Sequence, residues 1–221
     1  MEQIIRNHYR AKLKDGITKE DIKKAITTDR HISLKEHSRI ERERKGLLTE
    51  GIFIYKDMLF IYTETVDEEI KPTFLFPTLS NLLWLWPCEK ENTPFAKMNL
   101  VFYFAVPEGL DDFTRKTPPL ARAGRIAFLK PETMFDYVYT HTALVKEGAI
   151  MGEKWQSIAL HENVLFSYYE EPRLKEINVK RNPELKSEVI NEWLAMDPAA
   201  HFLRIDPEKD FLVIECIESI G

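Results

Sequence analysis

Apolar and polar positions alternate in the same way in two stretches of this chain. Residues 51–65 read GIFIYKDMLFIYTET, and residues 157–171 read SIALHENVLFSYYEE. Each stretch has a short apolar run, a polar pair and a longer run rich in aromatic residues. Polar residues that tolerate a positive φ suit a tight turn, whereas bulky residues suit a pleated strand. The pattern therefore predicts one β-hairpin in each stretch.

The two hairpins are near copies of one another. With Phe60 set against Phe166, residues of the same type fall at five positions along the two stretches. These pairs are Ile52/Ile158, Leu59/Leu165, Phe60/Phe166, Tyr62/Tyr168 and Glu64/Glu170. The repetition predicts that the chain consists of two copies of one structural unit.

The patterns around the first hairpin predict a strand and a helix before it, and a short helix and a strand after it. A strand at residues 9–13 leads to a helix that begins at Thr18, where Asp21 stands at the spacing of a capping box. After the hairpin come a short helix at residues 77–87 and a strand at residues 100–106. The first copy is therefore predicted to run β-α-β-β-α-β.

The second copy repeats this order. A strand at residues 125–130 precedes a helix at residues 131–148, since proline suits a first helical position and glycine suits a helix end. One face of this helix collects large side chains at three- and four-residue spacing: Met134, Tyr137, Val138, His141, Leu144 and Val145. A second helix at residues 182–196 and a strand at residues 210–216 complete the copy.

The predicted boundaries are residues 1–106 for the first unit and residues 120–221 for the second. Residues 107–119 contain three prolines and three acidic residues and form the predicted linker. Residues 33–45 are almost wholly polar and form a charged insertion in the first unit. Because glutamates alternate with the basic residues there, a solvated helix face is favoured over a nucleic-acid patch.

These patterns predict a fold of the α+β class. Each unit would be ferredoxin-like, with a four-stranded antiparallel sheet that carries two helices on one face. The other sheet face would be bare and apolar, so the two units are predicted to pack sheet to sheet within the chain. This arrangement resembles the dimeric α/β-barrel superfamily, here as an internal pseudo-dimer.

The second unit resembles the L-rhamnose mutarotase-like proteins of that superfamily. The resemblance is carried by Tyr137-x-x-x-His141 in the first helix, by the hairpin at residues 163–170, and by Trp193 with Met196 close behind. It implies a cofactor-free isomerase that acts on a small polyhydroxylated ring.

Composition limits the classes of partner. The chain has 221 residues and a formal net charge of −5, which disfavours binding to nucleic acid or to an acidic membrane surface. No apolar run approaches the ~18 residues of a membrane span, and the first residues lack the order of a signal peptide. Cys88 and Cys216 show no metal-ligand or redox spacing. We therefore expect a cytoplasmic protein, either a monomer or a homodimer.

Tyr137 and His141 are the first candidates for chemistry, since positions i and i+4 of a helix lie one above the other. A neutral imidazole near pH 7 can move protons, and a phenol can donate to a hydroxyl or ring oxygen. The alternative is that both are core residues of an amphipathic helix, with their polar tips bonded to the backbone.

Glu170 is the third candidate. Phe166, Tyr168 and Glu170 alternate along their strand and therefore share one face of it. If that face meets the first helix, Glu170 would stand near His141 as an acid/base partner. The alternative is that Glu170 and its counterpart Glu64 lie at strand ends and pair with solvent or an arginine.

Trp155 and Trp193, together with Tyr168, are candidates for contact with a sugar or an aromatic ligand, because tryptophans offer flat apolar walls. Tryptophans on short amphipathic helices are also common core residues. The sequence has no glycine-rich phosphate loop, nucleophile elbow, haem-ligand motif or clustered metal ligands. No cofactor and no metal is therefore predicted.

Two functions are compatible with these sequence patterns. The first is a mutarotase-type isomerase, in which His141 acts with Glu170 or Tyr137 to deliver and remove protons. The second is a non-catalytic module that binds or senses a small molecule, such as a carbohydrate, on the same scaffold. Both require a cleft lined by Tyr137, His141 and Trp193, but only the enzyme requires a second titratable group beside His141.

Overall fold

Most of the predicted strands and helices are present in the computed structural model, which describes residues 2–35, 46–88, 91–148, 150–151, 153–172, 180–181 and 186–221. An exception is the short helix predicted at residues 77–87, which ends at Ser80. In chain order the first elements are β1 (Ile4–Lys12), α1 (Lys19–Lys35), β2 (Leu47–Tyr55), β3 (Met58–Val66), α2 (Pro72–Leu75), α3 (Pro77–Ser80), β4 (Ala96–Lys97), β5 (Asn99–Tyr103) and α4 (Leu110–Phe113). The later elements are β6 (Ala121–Phe128), α5 (Met134–Glu147), β7 (Ile150–Met151), β8 (Ser157–His161), β9 (Val164–Glu171), β10 (Lys180–Arg181), α6 (Glu188–Ala195) and β11 (Leu212–Ile220), with 3₁₀ turns at Pro131–Thr133 and Pro198–His201. The fold class is therefore α+β, as predicted.

Both hairpins form where the sequence predicts them. β2 pairs with β3, and β8 pairs with β9, each in antiparallel register. The first turn residues, Lys56 and Glu162, have φ values of 54° and 52°. Positive φ is what a two-residue hairpin turn requires, so the polar pair at the centre of each repeat has a local structural cause.

The chain divides into two compact units. Unit 1 comprises Met1–Met98, Pro107–Lys116 and Glu215–Gly221, and unit 2 comprises Asn99–Val106 and Thr117–Ile214. Unit 1 therefore includes the end of β11, which the sequence assigns to the second unit. Unit 2 includes β5, which the sequence assigns to the first unit.

This division differs from the predicted boundaries at 106 and 120. β5, expected to complete the first unit, pairs with β8 in unit 2. The end of β11, expected to complete the second unit, pairs with β2 in unit 1. A hairpin turn fixes its own pairing locally, whereas the partner of a distant strand depends on which sheet edge the returning chain reaches. Sequence pattern carries no signal for that choice.

Residues 107–116, predicted as part of a linker, are packed into unit 1. Phe113 on α4 has no exposed surface, and the guanidinium of Arg115 pairs with the carboxylate of Glu64. The prolines and acidic residues of this stretch are typical of a linker, so its composition does not indicate that Phe113 and Arg115 hold it in unit 1.

In unit 1 the sheet order is β4-β1-β3-β2, followed by the end of β11. The predicted capping box starts α1: Asp21 accepts hydrogen bonds from the Thr18 backbone N–H at 2.9 Å and from its hydroxyl at 2.6 Å. Helices and sheet share one apolar cluster, whose fully buried members include Ile22, Ile26, Ile52, Leu59, Ile61, Phe76 and Leu79. This cluster fills the space beneath the helices of unit 1.

In unit 2 the sheet order begins with the first residues of β11 and continues β6-β9-β8-β5. α5 follows a 3₁₀ turn that starts at Pro131, and the helix is capped at its C-terminal end by Gly148, whose φ is 61°. Both features agree with the sequence-based prediction. α6 begins at Glu188, where the Ser187 hydroxyl accepts a hydrogen bond from the Ile190 N–H at 3.0 Å and so caps the helix.

Parts of two predictions fall outside the described residues. The charged insertion at residues 33–45 lies outside them from position 36 onward. The predicted start of the last helix, at residues 182–185, lies outside them as well.

Candidate functional site

Unit 2 contains a cavity of about 330 Å³ that is partly open to solvent. Its wall is built by α5 and α6 together with side chains from β5, β6 and β8 and from the loops beside them. The lining residues are Phe102, Phe104, Arg125, Tyr137, His141, Leu144, Gln156, Ile158, Ile190, Trp193, Leu194, Phe202 and Phe211. The structure thus brings Tyr137, His141 and Trp193 together around one cavity, between the first helix of the unit and its sheet.

Tyr137 and His141 form a stacked pair on α5. Their ring centroids lie 3.8 Å apart with an interplanar angle of 22°, the contact expected of positions i and i+4. Tyr137 is almost completely buried, and burial raises the pKa of its hydroxyl, with a smaller opposing effect from the charge of Arg125. Tyr137 therefore stays protonated at neutral pH and can act only as a neutral hydrogen-bonding group.

His141 is held in one tautomer by its own helix. Its Nδ1 lies 2.9 Å from the carbonyl oxygen of Tyr137, and a carbonyl can only accept, so Nδ1 carries the hydrogen. Burial lowers the pKa of His141 to about 4; the hydrogen bond to the Tyr137 carbonyl opposes this effect in part, and the charge of His201 adds slightly to it. At pH 7 the ring is therefore neutral, and Nε2 carries a lone pair.

Trp193, on α6, is the third aromatic side chain of this group. Its ring lies 5.2 Å from that of His141 and 5.8 Å from that of Tyr137, both in edge-to-face contact. The centroid of its ring also lies 4.5 Å from that of His201. Edge-to-face contacts of this kind hold aromatic side chains in place, so Trp193 is a fixed wall of the cavity.

Arg125 and Gln156 supply further polar groups to the cavity wall. The side chain of Arg125 lies on β6, and its guanidinium carbon is 4.4 Å from the ring centroid of Phe211. Both residues are buried, Arg125 at 7% exposure and Gln156 at 4%. Among the described residues that line the cavity, Arg125 alone is charged at pH 7. The wall is thus largely aromatic and aliphatic, with one cation.

Glu170 is not among the described residues that line the cavity. Leu165 packs in the same cluster as Tyr137, so the alternating residues Phe166, Tyr168 and Glu170 point to the opposite face of the sheet. The predicted acid/base pair of His141 and Glu170 is therefore not formed, because strand periodicity puts the two groups on different sides of the sheet.

The carboxylate of Glu170 instead accepts a hydrogen bond from the Tyr168 hydroxyl at 2.7 Å and lies 3.8 Å from Arg122. In unit 1 the equivalent carboxylate of Glu64 accepts from the Tyr62 hydroxyl at 2.5 Å. This matches the alternative prediction, that the repeated glutamate pairs with an arginine at a strand end.

Two of the predicted binding residues also lie elsewhere. Tyr168 is fully buried on the sheet face that carries Glu170, and Trp155 stands in the turn before β8. Neither is among the described lining residues. Of the six predicted site residues, the cavity therefore collects three.

Sequence reasoning missed Arg125, Gln156 and the four phenylalanines of the wall. A signal existed for Arg125, since Arg125, Ala127 and Leu129 alternate on the strand face that packs under α5. A charged residue at the start of an apolar run is usually taken for a solvated strand end. The phenylalanines come from segments far apart in the chain, so no local pattern groups them.

Within the described ranges, no cluster of three or more His, Cys, Asp or Glu side chains could hold a metal ion. In that same part of the chain, no helix has both the length and the apolar character that crossing a bilayer requires.

Comparisons with known proteins do not assign this chain to a family. No family model matches the sequence, and no curated protein matches it. Among solved structures, a protein from Lactobacillus acidophilus NCFM that is provisionally named a monooxygenase aligns over 98% of this chain and 95% of its own, at 9% identity and a TM-score of 0.38. An anthrone oxidase-like protein aligns over the same shares, at 8% identity and a TM-score of 0.39. Likeness at this level carries no argument about function.

Proposed function

We propose that unit 2 is a binding module for a small, flat and largely apolar molecule. The observation that carries this proposal is the cavity of about 330 Å³ whose wall contains Tyr137, His141 and Trp193 in mutual ring contact. Ligand sites in proteins are concave, mostly apolar and lined by aromatic side chains, with a few polar groups that fix orientation. Volumes from about 300 Å³ upward are typical of such sites.

The wall favours a flat ligand over a sugar. Nine of the thirteen described lining residues are aliphatic, phenylalanine or tryptophan. A ring with a hydroxyl on nearly every carbon would lose its hydrogen bonds to water and find few partners here, which is costly in a buried site. Flat apolar rings lose little on leaving water and gain contact with the aromatic side chains.

The mutarotase-type isomerase stays a prediction and becomes the second candidate. The stacked Tyr137 and His141 at the cavity wall favour it. Two observations favour the binding module instead. A general base works best with a pKa near the working pH, and burial puts the pKa of His141 at about 4. The position of Glu170 on the other sheet face also deprives His141 of its predicted carboxylate partner.

We also propose that the two units are copies of one ferredoxin-like unit and form an internal dimeric α/β-barrel. The matched hairpins, their positive-φ turn residues and the repeated tyrosine–glutamate bonds support the duplication. The resemblance of unit 2 to L-rhamnose mutarotase-like proteins is part of this proposal and rests on its sequence motifs alone.

The test of the proposed function is a pair of tryptophan substitutions in unit 2. Leu194 lines the cavity and is 57% exposed, so Leu194→Trp should narrow the cavity without disturbing the core. Leu203, 45% exposed and outside the lining, gives the matched control Leu203→Trp. With 1-naphthalenemethanol as a neutral probe, titration calorimetry should show binding to the native protein and to Leu203→Trp. Leu194→Trp should bind at least about tenfold more weakly, a loss of ~1.4 kcal/mol.

Saturation-transfer NMR with a set of reducing monosaccharides completes that experiment. The proposal predicts no transfer to the sugars under conditions in which 1-naphthalenemethanol shows it. Binding of sugars but not of the naphthalene probe would reject the proposed function. Equal affinities of Leu194→Trp and Leu203→Trp would move the site away from this cavity.

A further inference from the structure

The hydroxyl of Tyr137 faces the cavity of unit 2 and has no hydrogen-bond partner within the described part of the chain. The residue is 1% exposed and forms part of the cavity wall. Its hydroxyl is not one of the unpartnered side-chain atoms that are completely shielded from solvent, so the small open surface of this residue includes its polar tip. A tyrosine hydroxyl can both donate and accept a hydrogen bond. It can therefore pair with an oxygen of a ligand.

The amide of Gln156 is a second polar group of this kind. The residue is 4% exposed and lines the same cavity. Its backbone N–H donates to the Glu153 carbonyl at 3.1 Å. Among the described residues its side-chain amide has no partner, and neither amide atom is completely shielded. Buried polar groups in proteins are normally hydrogen-bonded, so two such groups at one cavity indicate a site for a ligand with a polar atom.

His141 supplies an acceptor to the same cavity. Its Nδ1 donates to the Tyr137 carbonyl at 2.9 Å, so Nε2 carries a lone pair and no hydrogen. Residues of the described ranges provide no donor to Nε2. A lone pair on nitrogen is satisfied only by a donor such as an O–H group. A carboxylate, a quinone or an ether offers acceptors alone and would leave Nε2 unpaired.

In unit 1 the buried face of the first helix is apolar. Ile22 and Ile26 on α1 have the same four-residue spacing as Tyr137 and His141 on α5, and neither isoleucine has exposed surface. Both belong to the apolar core of their unit. The pair of polar aromatic residues is therefore found in the unit that has the cavity.

We infer that the ligand of unit 2 is a neutral aromatic molecule with a hydroxyl group, which donates a hydrogen bond to Nε2 of His141 while Tyr137 and Gln156 bond to oxygen atoms of the ligand. This inference rests on the proposed binding function and names the ligand class. A hydrocarbon ring without a hydroxyl would bury these three polar groups without partners, which weakens binding. A site built to hydrogen-bond a hydroxyl discriminates strongly against an analogue that lacks it.

The first part of the test uses the native protein with two neutral probes of the same shape. 1-Naphthalenemethanol and 1-ethylnaphthalene differ by a hydroxyl in place of a methyl group. Equilibrium dialysis at pH 7 should show 1-naphthalenemethanol binding at least about tenfold more tightly. If neither probe binds, the proposed function fails, and the inference with it. If 1-ethylnaphthalene binds equally well or better, the proposed function stands and the inference about a hydroxyl is overturned.

The second part removes the acceptor and keeps an aromatic ring. His141→Phe should weaken 1-naphthalenemethanol binding at least about tenfold and change 1-ethylnaphthalene binding less than threefold. His31→Phe is the matched control, because the Nδ1 of His31 lies 2.8 Å from the Thr27 carbonyl in the same helical geometry, but this residue is exposed on α1 and outside the cavity lining. An equal loss for both probes in His141→Phe would show that His141 only shapes the wall, and would overturn the inference.

Tyr137→Phe keeps the inference testable if His141→Phe does not fold. This change removes one hydroxyl that has no partner in the described chain, so the thermal unfolding temperature should be that of the native protein or higher. Binding of 1-naphthalenemethanol should weaken about threefold or more, and binding of 1-ethylnaphthalene should stay the same or become tighter. Unchanged binding of both probes would show that the ligand oxygen lies away from this hydroxyl, and would overturn the inference.

Discussion

Arg115→Met is expected to lower the free energy of unfolding by about 3–5 kcal/mol, the usual cost of removing one partner of a buried ion pair. The side chain of Glu64 is fully buried, and that of Arg115 is 9% exposed. Two guanidinium nitrogens of Arg115 bond to the Glu64 carboxylate, one of them at 2.8 Å from Oε1. Without Arg115, the hydrogen bond from the Tyr62 hydroxyl is the one that the described part of the chain would leave to this carboxylate.

Chemical denaturation of the native protein, of Arg115→Met and of the double variant with Arg115→Met and Glu64→Gln measures this effect. Arg115→Met should be the least stable, because it leaves a buried charge. Adding Glu64→Gln to it should recover much of the loss, since an amide costs far less to bury than a carboxylate. A loss below about 1 kcal/mol for Arg115→Met would mean that residues 107–116 are a solvated linker, as composition alone predicts.

Acid is expected to destabilise unit 1 through His8. This residue on β1 is 1% exposed and lies in edge-to-face contact with Tyr62. Burial, with a smaller effect of the charge on Arg6, lowers the pKa of His8 to about 3. The unfolded chain therefore binds a proton that the folded chain does not, from about pH 6.5 down to about pH 3. Its contribution to stability is complete above pH 6.5 and falls as the pH falls.

Between pH 7 and pH 5 this one group should lower the free energy of unfolding by about 2 kcal/mol, given about 1.4 kcal/mol per pKa unit. His8→Gln removes the titration and keeps a polar side chain. The measurement is urea denaturation of both proteins at the two pH values. The variant should lose about 2 kcal/mol less than the native protein on acidification. Equal losses would show that His8 is not held neutral in the folded protein.

The local features of this fold were predictable from the sequence. Both hairpins, the capping box at Thr18 and the helix that ends at Gly148 follow from short-range patterns in which neighbouring residues decide the geometry. The grouping of Tyr137 with His141 follows in the same way, from the spacing of a helix turn. Trp193 joins them because an amphipathic helix turns its apolar face toward the sheet.

The features that depend on distant parts of the chain were not predictable. The sequence does not say that β5 pairs with β8, because an apolar strand carries no label for its partner. Nor does the alternation of Phe166, Tyr168 and Glu170 say which face of the sheet meets the helix. That choice separates Glu170 from His141, and it places Arg125 in the cavity wall.

The two units place different side chains beneath their first helices. In unit 1 this space is filled by aliphatic residues with no exposed surface, among them Ile22, Ile26 and Leu79. In unit 2, α5 places Tyr137 and His141 there, and a cavity lies beside them. Unit 1 therefore has an apolar core beneath its first helix, whereas unit 2 has space for a ligand there, and binding is expected in unit 2.

A crystal structure of the protein grown with 1-naphthalenemethanol shows whether the cavity of unit 2 is a ligand site. We expect the naphthalene ring to lie among Tyr137, His141 and Trp193. Naphthalenemethanol bound at another place, with the cavity of unit 2 empty or closed by its own side chains, would show that this cavity is not the ligand site.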